Sequence, residues 1–544
     1  METALAKELL LTFTLEGFHW STYWVLNIAL AGLCSLGVGF TGWRNPHQLA
    51  RPAFMVAALM HLIFQWPLAI FSPIFERSLS GYWFFAVSVH TPIVACLFWL
   101  AATKRLTEHV MRSGEPSERR IQHISLGSRT ILLALFAGLI GLYLSRVGWK
   151  CTGLYAILFD PELALLARET SGKLVRDGLA PYWYGVLANV ICPLVMHTAL
   201  CGANAALTTR QYSKVLAWVT TGICALLVVL LPGAKGGLIP MVIVVSVGFV
   251  ATRGTWMSRI AIVACVFGSG FLMLSTIEVL RERQVFSGGC YDFGACVRQH
   301  NACPEASALI QSLQYRDMSL GLTSHTLTEI EQDLHAACSP EQPFYESQRC
   351  SSRQTITSKG KGPKASRKES RTGKDDVAYR MGQYAMGILY RTGVVPVQVA
   401  SWYHLYSAEH GSPGVYALPL SSILFGRRVV MPIQIHETYY HVYSGGDRTS
   451  TGTAPTSFLL AYPAYLGLAG IGLSLAAILI FDLISCCILV RLGSALRAAG
   501  IGLLAVGSVN FMISDFGTTL LSHGTASALL LLWVLSFTEK ESGV

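Results

Sequence analysis

The strongest constraint on this chain is a series of apolar runs with few charges, each about long enough to cross a bilayer. About 30 Å of hydrocarbon takes roughly 20 helical residues at 1.5 Å each. The sequence meets that length, within a few residues, at 21–41, 52–73, 81–102, 128–146, 182–205, 214–232, 236–252, 258–279, 459–486, 498–517 and 520–538. Backbone amides in hydrocarbon must bond within their own segment, so the runs are expected to be helices. The predicted class is an all-α polytopic integral membrane protein of about eleven transmembrane helices, within a range of ten to thirteen. Only 13% of the 544 residues are charged and 52% are hydrophobic, a balance foreign to an ordinary soluble globule.

Lys and Arg in short loops set orientation, because they resist translocation. The richest short loop, 103–127, holds Lys104, Arg105, Arg112, Arg119 and Arg120. With that loop in the cytoplasm, alternation also places Arg44, Arg51, Arg210, Arg253, Arg259, Arg491, Arg497 and Lys540 inside. The N-terminus and the long segment 280–458 then face outward, and the C-terminus inward. No basic n-region with a cleavage site precedes the first span, which is expected to act as the insertion signal. Residues 1–17 read as a short amphipathic stretch.

The chain divides into spans one to eight (1–279), an external cysteine-containing subdomain (280–352), a basic linker (353–375), an external helical catalytic loop (376–458) and the last three spans (459–544). Cys151, Cys290, Cys296, Cys303, Cys338 and Cys350 fall in the expected external segments. An even number in an oxidising compartment reads as disulfide candidates of open connectivity, and zinc is the weaker reading for want of a close CxxC pair. The linker has eight basic residues and almost nothing apolar to bury, so it reads as disordered and solvated, with a lipid-phosphate grip as the alternative. In DVAYRMGQYAMGILYR, Arg380 and Arg391 stand eleven residues apart, about three helical turns, on nearly one side. A second short helix is predicted from near Pro396 to Gly411. The stretch PGVYALPLSSILFG is too broken by Pro and Gly to span, and could dip into the membrane surface.

No nucleotide-binding fingerprint, Walker loop, kinase motif or HExxH occurs, and the short inner loops leave no room for a nucleotide domain. Chemistry must therefore use substrates already activated, on the outer side. That side is cationic and polar. PGAKGGLIP sets Lys235 among glycines whose amides, with the next helix N-terminus, suit a phosphate, although a snorkelling Lys that ends a span fits as well. FGRRVVMPIQIHETYYHVYSGGDR gathers Arg427, Arg428, His436, Glu437, Tyr439, Tyr440, His441, Asp447 and Arg448 within twenty-two residues. Paired Arg beside His and carboxylates can neutralise a diphosphate and move a proton, while a plain external loop collects the same residues. Asp515 and His523 bracket a short turn between the last two spans, as functional groups or as a bonded structural pair. His61, His90 and His197 within spans read as packing or hydrogen-bonding residues.

Three features together carry a resemblance: PGAKGGLIP, the large external loop with Arg-bearing helices, and TGTAPTSFLLAYPAYLGLAGIGLS. On these the chain resembles the O-antigen polymerase family, also called oligosaccharide repeat-unit polymerases, over about half its length from the sixth span onward. The family commonly has Arg where Lys235 stands, and the cysteine-bearing insertion and the basic tract are additions. The resemblance implies a GT-C-like, metal-independent membrane glycosyltransferase of the bacterial inner membrane. It would act in polysaccharide biosynthesis of the lipopolysaccharide type, joining undecaprenyl-diphosphate-linked repeat units on the periplasmic face. Lys235, Arg380, Arg391, Arg427, Arg428, Arg448 and Tyr440 would bind substrate and diphosphate. His436, Glu437, His441 or Asp447 would take the acceptor's proton. The implied partners are the lipid-linked oligosaccharides, membrane lipids, a chain-length regulator and a flippase, with no nucleic acid, cofactor or metal. The alternatives are an O-antigen ligase-like enzyme and a transporter or flippase of lipid-linked oligosaccharide.

Overall fold

A computed structural model describes residues 22–44, 48, 50–78, 81–105, 108, 126–149, 152–155, 180–232, 237–252, 394–419, 421, 425–426, 429–440 and 454–540. All regular structure among them is helical, with no strand, and the fold is that of a polytopic membrane protein. Among the described residues, eight helices are long and apolar enough to cross a bilayer. The predicted eighth span, 258–279, lies outside the described residues.

The first group of helices is α1 (Thr22–Arg44), α2 (Pro52–Met60, His61–Gln65 and Trp66–Ser78 in one run) and α3 (Tyr82–Ala102). The second is α4 (Leu126–Val147), α5 (Ala180–Val186, Leu187–Ile191 and Cys192–Thr208), α6 (Tyr212–Leu230) and α7 (Leu238–Thr252). Both α2 and α5 contain one wide π-helical turn, at His61–Gln65 and Leu187–Ile191. Each turn sits just before a proline, Pro67 or Pro193. A proline ring cannot donate and crowds the carbonyl four residues back, here that of Ile63 or Asn189, and the wider turn relieves both.

The remaining helices are α8 (Val395–His410), α9 (Met431–Ile435, continued by a π turn His436–Tyr440), α10 (Phe458–Leu466), α11 (Leu468–Leu489), α12 (Ser494–Ile513), α13 (Phe516–Leu521) and α14 (Thr525–Lys540). Helix α12 is the axis, with 83% of Ala495–Ile513 buried. It packs on α2, α5, α7, α11 and α14, and so joins the two groups. Small residues permit this: a Cβ on Gly502 would come within 2.6 Å of the Val244 backbone. Without a hydrophobic effect between helices in lipid, such close approach is what drives packing.

Two details correct the expected spans. The ninth is not one helix over 459–486. It breaks at Gly467, whose φ of 62° and ψ of −138° fall in a region open essentially to glycine alone. The tenth ends at Ile513 instead of 517, because Ser514 is extended and Asp515 caps the separate α13. The helix expected near Pro396 to Gly411 is α8, while 414–417 form a single 3-10 turn and no span.

One end of the bundle carries Arg51, Lys104, Arg129, Lys214 and Arg497, and is called the basic end below. Arg51 and Arg497, counted in the sequence as loop charges, are in fact buried. Arg497 donates to the carbonyls of Leu489 (3.0 Å) and Leu492 (2.7 Å), satisfying the orphaned acceptors at the end of α11. Arg51 is 1% exposed and pairs bidentately with Asp482, 0% exposed, on α11. Trp99 Nε1 (2.9 Å) and the Ala53 amide (3.1 Å) also donate to Asp482, and Arg51 reaches Thr103 Oγ1 at 2.6 Å. The pair thereby ties α2, α3 and α11 together.

Candidate functional site

The opposite end, here the mouth, is where the helices that do not span are seated. Helix α8 lies against α10, α9 and the π turn of α2. Its sequence VPVQVASWYHLYSAEH begins with Pro at a first-turn position and stops at Gly411, whose φ is 82°. The buried face of α8 includes Trp402, Tyr403 and His404. Trp402 stacks on Tyr439 at 6.2 Å, and the Tyr439 hydroxyl donates to Glu409 Oε2 at 2.6 Å. Tyr406 stacks on His410 at 4.4 Å and bonds Gln434 of α9 at 3.2 Å.

The hydroxyl-rich segment that enters α10 is part of this assembly. The Tyr403 hydroxyl donates to the Ala454 carbonyl at 2.8 Å, and the Ala454 amide to the Pro432 carbonyl at 2.9 Å. Ser457 caps α10 by accepting from the Leu459 amide, and donates to the Phe511 carbonyl of α12 at 2.8 Å. Helix α10 then doubles back on α11: a Cβ on Gly470 would lie 2.0 Å from the Tyr462 carbonyl oxygen. The glycines of YLGLAG are the corner itself. Tyr403, Tyr462 and Tyr465 gather along this corner at ring separations of 6.1 and 6.2 Å.

Asp515 closes the mouth from the α12 side. Its carboxylate accepts from the Thr518 amide (2.9 Å) and hydroxyl, and no hydrogen bond joins it to His523 among the described residues. The bonded Asp515–His523 pair is therefore replaced by a helix cap. Burial first, and then the charge of Asp515, push the Tyr403 phenol above its ordinary range, while a hydrogen bond with Tyr465 pulls it back.

Three buried polar atoms of this assembly, His404 Nε2, Ser407 Oγ and Thr456 Oγ1, have no hydrogen-bond partner among the described residues. Native proteins leave few such groups, since each costs about 1–3 kcal/mol, so they mark where water or a ligand belongs. Burial between Phe84 and Phe85 of α3 and the rest of the mouth pushes the His404 imidazole down to about 4. A histidine depressed in the fold binds its proton more readily when unfolded. Its contribution to stability is thus complete above about pH 6.5 and lost as pH falls toward 4. Thermal unfolding of the detergent-solubilised wild type should show that decline between pH 6.5 and 4, and His404→Phe should make it shallower.

A second polar constellation runs inside the first helix group. Ser35 Oγ (2.8 Å) and Trp66 Nε1 (3.1 Å) meet His61 Nε2, and His61 Nδ1 meets Gln65 Oε1 at 2.5 Å. Gln65 Nε2 continues to His90 Nδ1 (2.6 Å), and His90 Nε2 to Asn27 Oδ1 (2.7 Å). Asn27 Nδ2 ends the chain on Tyr82 (2.6 Å) and Ser72 (3.1 Å). Donors and acceptors alternate consistently only if both imidazoles are neutral. His61 and Gln65, four residues apart, meet on one face of α2. His61 and His90, read singly as packing or bonding residues, thus belong to one network, and His197 lies outside it beside Cys201.

Of the residues expected to act, His436 is buried at the start of the π turn after α9, and Glu437 beside it is exposed, so the two do not share one face. The backbone of Tyr440 closes that turn. Lys235, Arg380, Arg391, Arg427, Arg428, His441, Asp447 and Arg448 lie outside the described residues, as do the six disulfide candidates. The described cysteines, among them Cys34, Cys192 and Cys486, are unpaired. Among the described residues no three His, Cys, Asp or Glu side chains are placed to hold a metal. Sequence reading passed over Tyr403, Glu409, Tyr462 and Tyr465, and only the density of aromatic residues in SWYHLY and AYPAYL pointed to them. No family model matches the chain, and it matches neither a curated protein nor a solved structure.

Proposed function

We propose that the chain is a membrane glycosyltransferase that joins undecaprenyl-diphosphate-linked oligosaccharide repeat units into a surface polysaccharide, with the mouth on the periplasmic side. The observation that carries this reading is the unpartnered set His404 Nε2, Ser407 Oγ and Thr456 Oγ1 in an aromatic mouth. Tyrosine and tryptophan faces suit sugar rings, and buried polar atoms without partners suit sugar hydroxyls. A lipid-linked substrate also explains why the mouth is built from short helices docked on a bundle: its anchor stays in the bilayer while its glycan lies among α8, α9 and α10.

In the reaction the acceptor hydroxyl forms a bond to the anomeric carbon of the donor glycan, and the bond to the lipid diphosphate breaks. The diphosphate leaves with the electron pair, stabilised by Lys235 and the arginines of 376–458. The hydroxyl proton passes to a base, His436 or Glu437 being candidates. The buried chain from Trp66 to Tyr82 favours one other reading, a flippase of the same lipid-linked oligosaccharide, because polar groups within spans accompany transport.

Deletion of the gene with complementation by variants separates these readings on a polysaccharide gel. Loss of the polymer ladder with retention of single-repeat product is expected for the deletion and for Lys235→Ala, Arg391→Ala and Tyr403→Phe. Absence of any surface repeat, or normal ladders from every variant, would contradict the proposal.

A further inference from the structure

At the basic end, away from the mouth, a cavity of about 80 Å³ opens between α4, α5 and α6. Its walls carry two cations, Arg129 and Lys214, with Thr198, Thr209 and Gln211 as polar neighbours, and no acidic residue lines it among the described residues. The Arg129 guanidinium is held over the Trp218 ring at 5.2 Å. Trp218 in turn fits because position 202 is glycine, where a Cβ would stand 2.4 Å from the ring. Among the described residues the arginine is therefore positioned by packing on Trp218. Its Nε is buried without a hydrogen-bond partner among the described residues, and so is Thr198 Oγ1, on a side chain only 6% exposed.

A pair of buried donors without partners beside a second cation, in a cavity with no carboxylate among the described residues, is suited to an anionic acceptor. We infer that this cavity binds a phosphate group, the headgroup of an anionic phospholipid in the leaflet at the basic end. The volume admits a phosphate group. The place between helix ends, at the level where loop charges assign the cytoplasmic surface, is where a headgroup sits. Arg129 would donate from Nε and its fork, Thr198 from its hydroxyl, and Lys214, exposed at the rim, would act as a mobile point charge.

The test uses the full chain in phosphatidylcholine nanodiscs with and without phosphatidylglycerol, read by thermal unfolding and by native mass spectrometry, with inorganic phosphate titrated in a separate arm. Phosphatidylglycerol is expected to raise the unfolding midpoint and to stay bound to the wild type. Arg129→Gln with Lys214→Gln should weaken that binding roughly tenfold or more, as loss of two cations beside a headgroup implies. Should the double variant not fold, the exposed Lys214→Gln alone carries the comparison, with a smaller loss in the same direction. A midpoint raised by inorganic phosphate alone would assign the site to free phosphate in place of the lipid, overturning the headgroup assignment. Equal retention of phosphatidylglycerol by wild type and variants would overturn the site altogether.

Discussion

Asp482→Ala is expected to be the most damaging single change in the bundle, costing about 3–5 kcal/mol, the range for removing one partner of a buried ion pair. The cause is what stays behind. Arg51, 1% exposed, would keep its charge and lose its carboxylate, and Trp99 Nε1 and the Ala53 amide would lose their acceptor at the same time. Asp482→Asn should cost less, because an amide oxygen still accepts while the charge is gone. Arg51→Met with Asp482→Leu should recover much of the loss, since a buried pair replaced by apolar groups is often neutral or stabilising. Unfolding midpoints of the four proteins in detergent make the comparison, and a midpoint for Asp482→Ala equal to the wild type would remove the pair from the account.

The second large effect is expected at the corner. Gly470→Ala forces a Cβ to within 2.0 Å of the Tyr462 carbonyl oxygen, a backbone atom that cannot rotate away. Either α10 shifts or the turn opens, at roughly 1–3 kcal/mol or more for overpacking. The functional loss should exceed the loss of stability, because α10 carries Tyr462 and Tyr465 into the mouth. Gly472→Ala, two residues on, meets nothing within 4 Å and should be neutral or slightly stabilising, helix propensity favouring alanine. Protein level in the membrane and polymer ladder measured side by side should show Gly470→Ala present but inactive, and Gly472→Ala indistinguishable from the wild type.

Much of the architecture could be read from the chain because lipid leaves few choices. A run of twenty apolar residues has to be a helix, and its approximate place follows from hydropathy alone. Hydropathy could not show the corner at Gly467, since α10 and α11 are equally apolar and only the glycine's backbone conformation separates them. The π turns precede Pro67 and Pro193, but proline alone could not announce them, since Pro92 sits inside α3 without one. Non-local pairing was not legible. Arg51 looked like a loop charge, and Asp482 in the middle of IFDLISCC had no visible partner, because the two stand far apart in sequence and meet only when α2 packs on α11. The same holds for His61 and His90, each unremarkable until Gln65 and Asn27 join them. In the mouth, the sequence drew attention to charges, whereas the described assembly is built of tyrosines and unpartnered hydroxyls.

Purified full-length protein, reconstituted in liposomes with undecaprenyl-diphosphate-linked repeat units and no nucleotide sugar, tests the central claim most directly. Products of two and more repeats, with release of undecaprenyl diphosphate, are expected from the wild type and not from Gly470→Ala. Unchanged single-repeat substrate in the presence of folded wild-type protein would contradict the account.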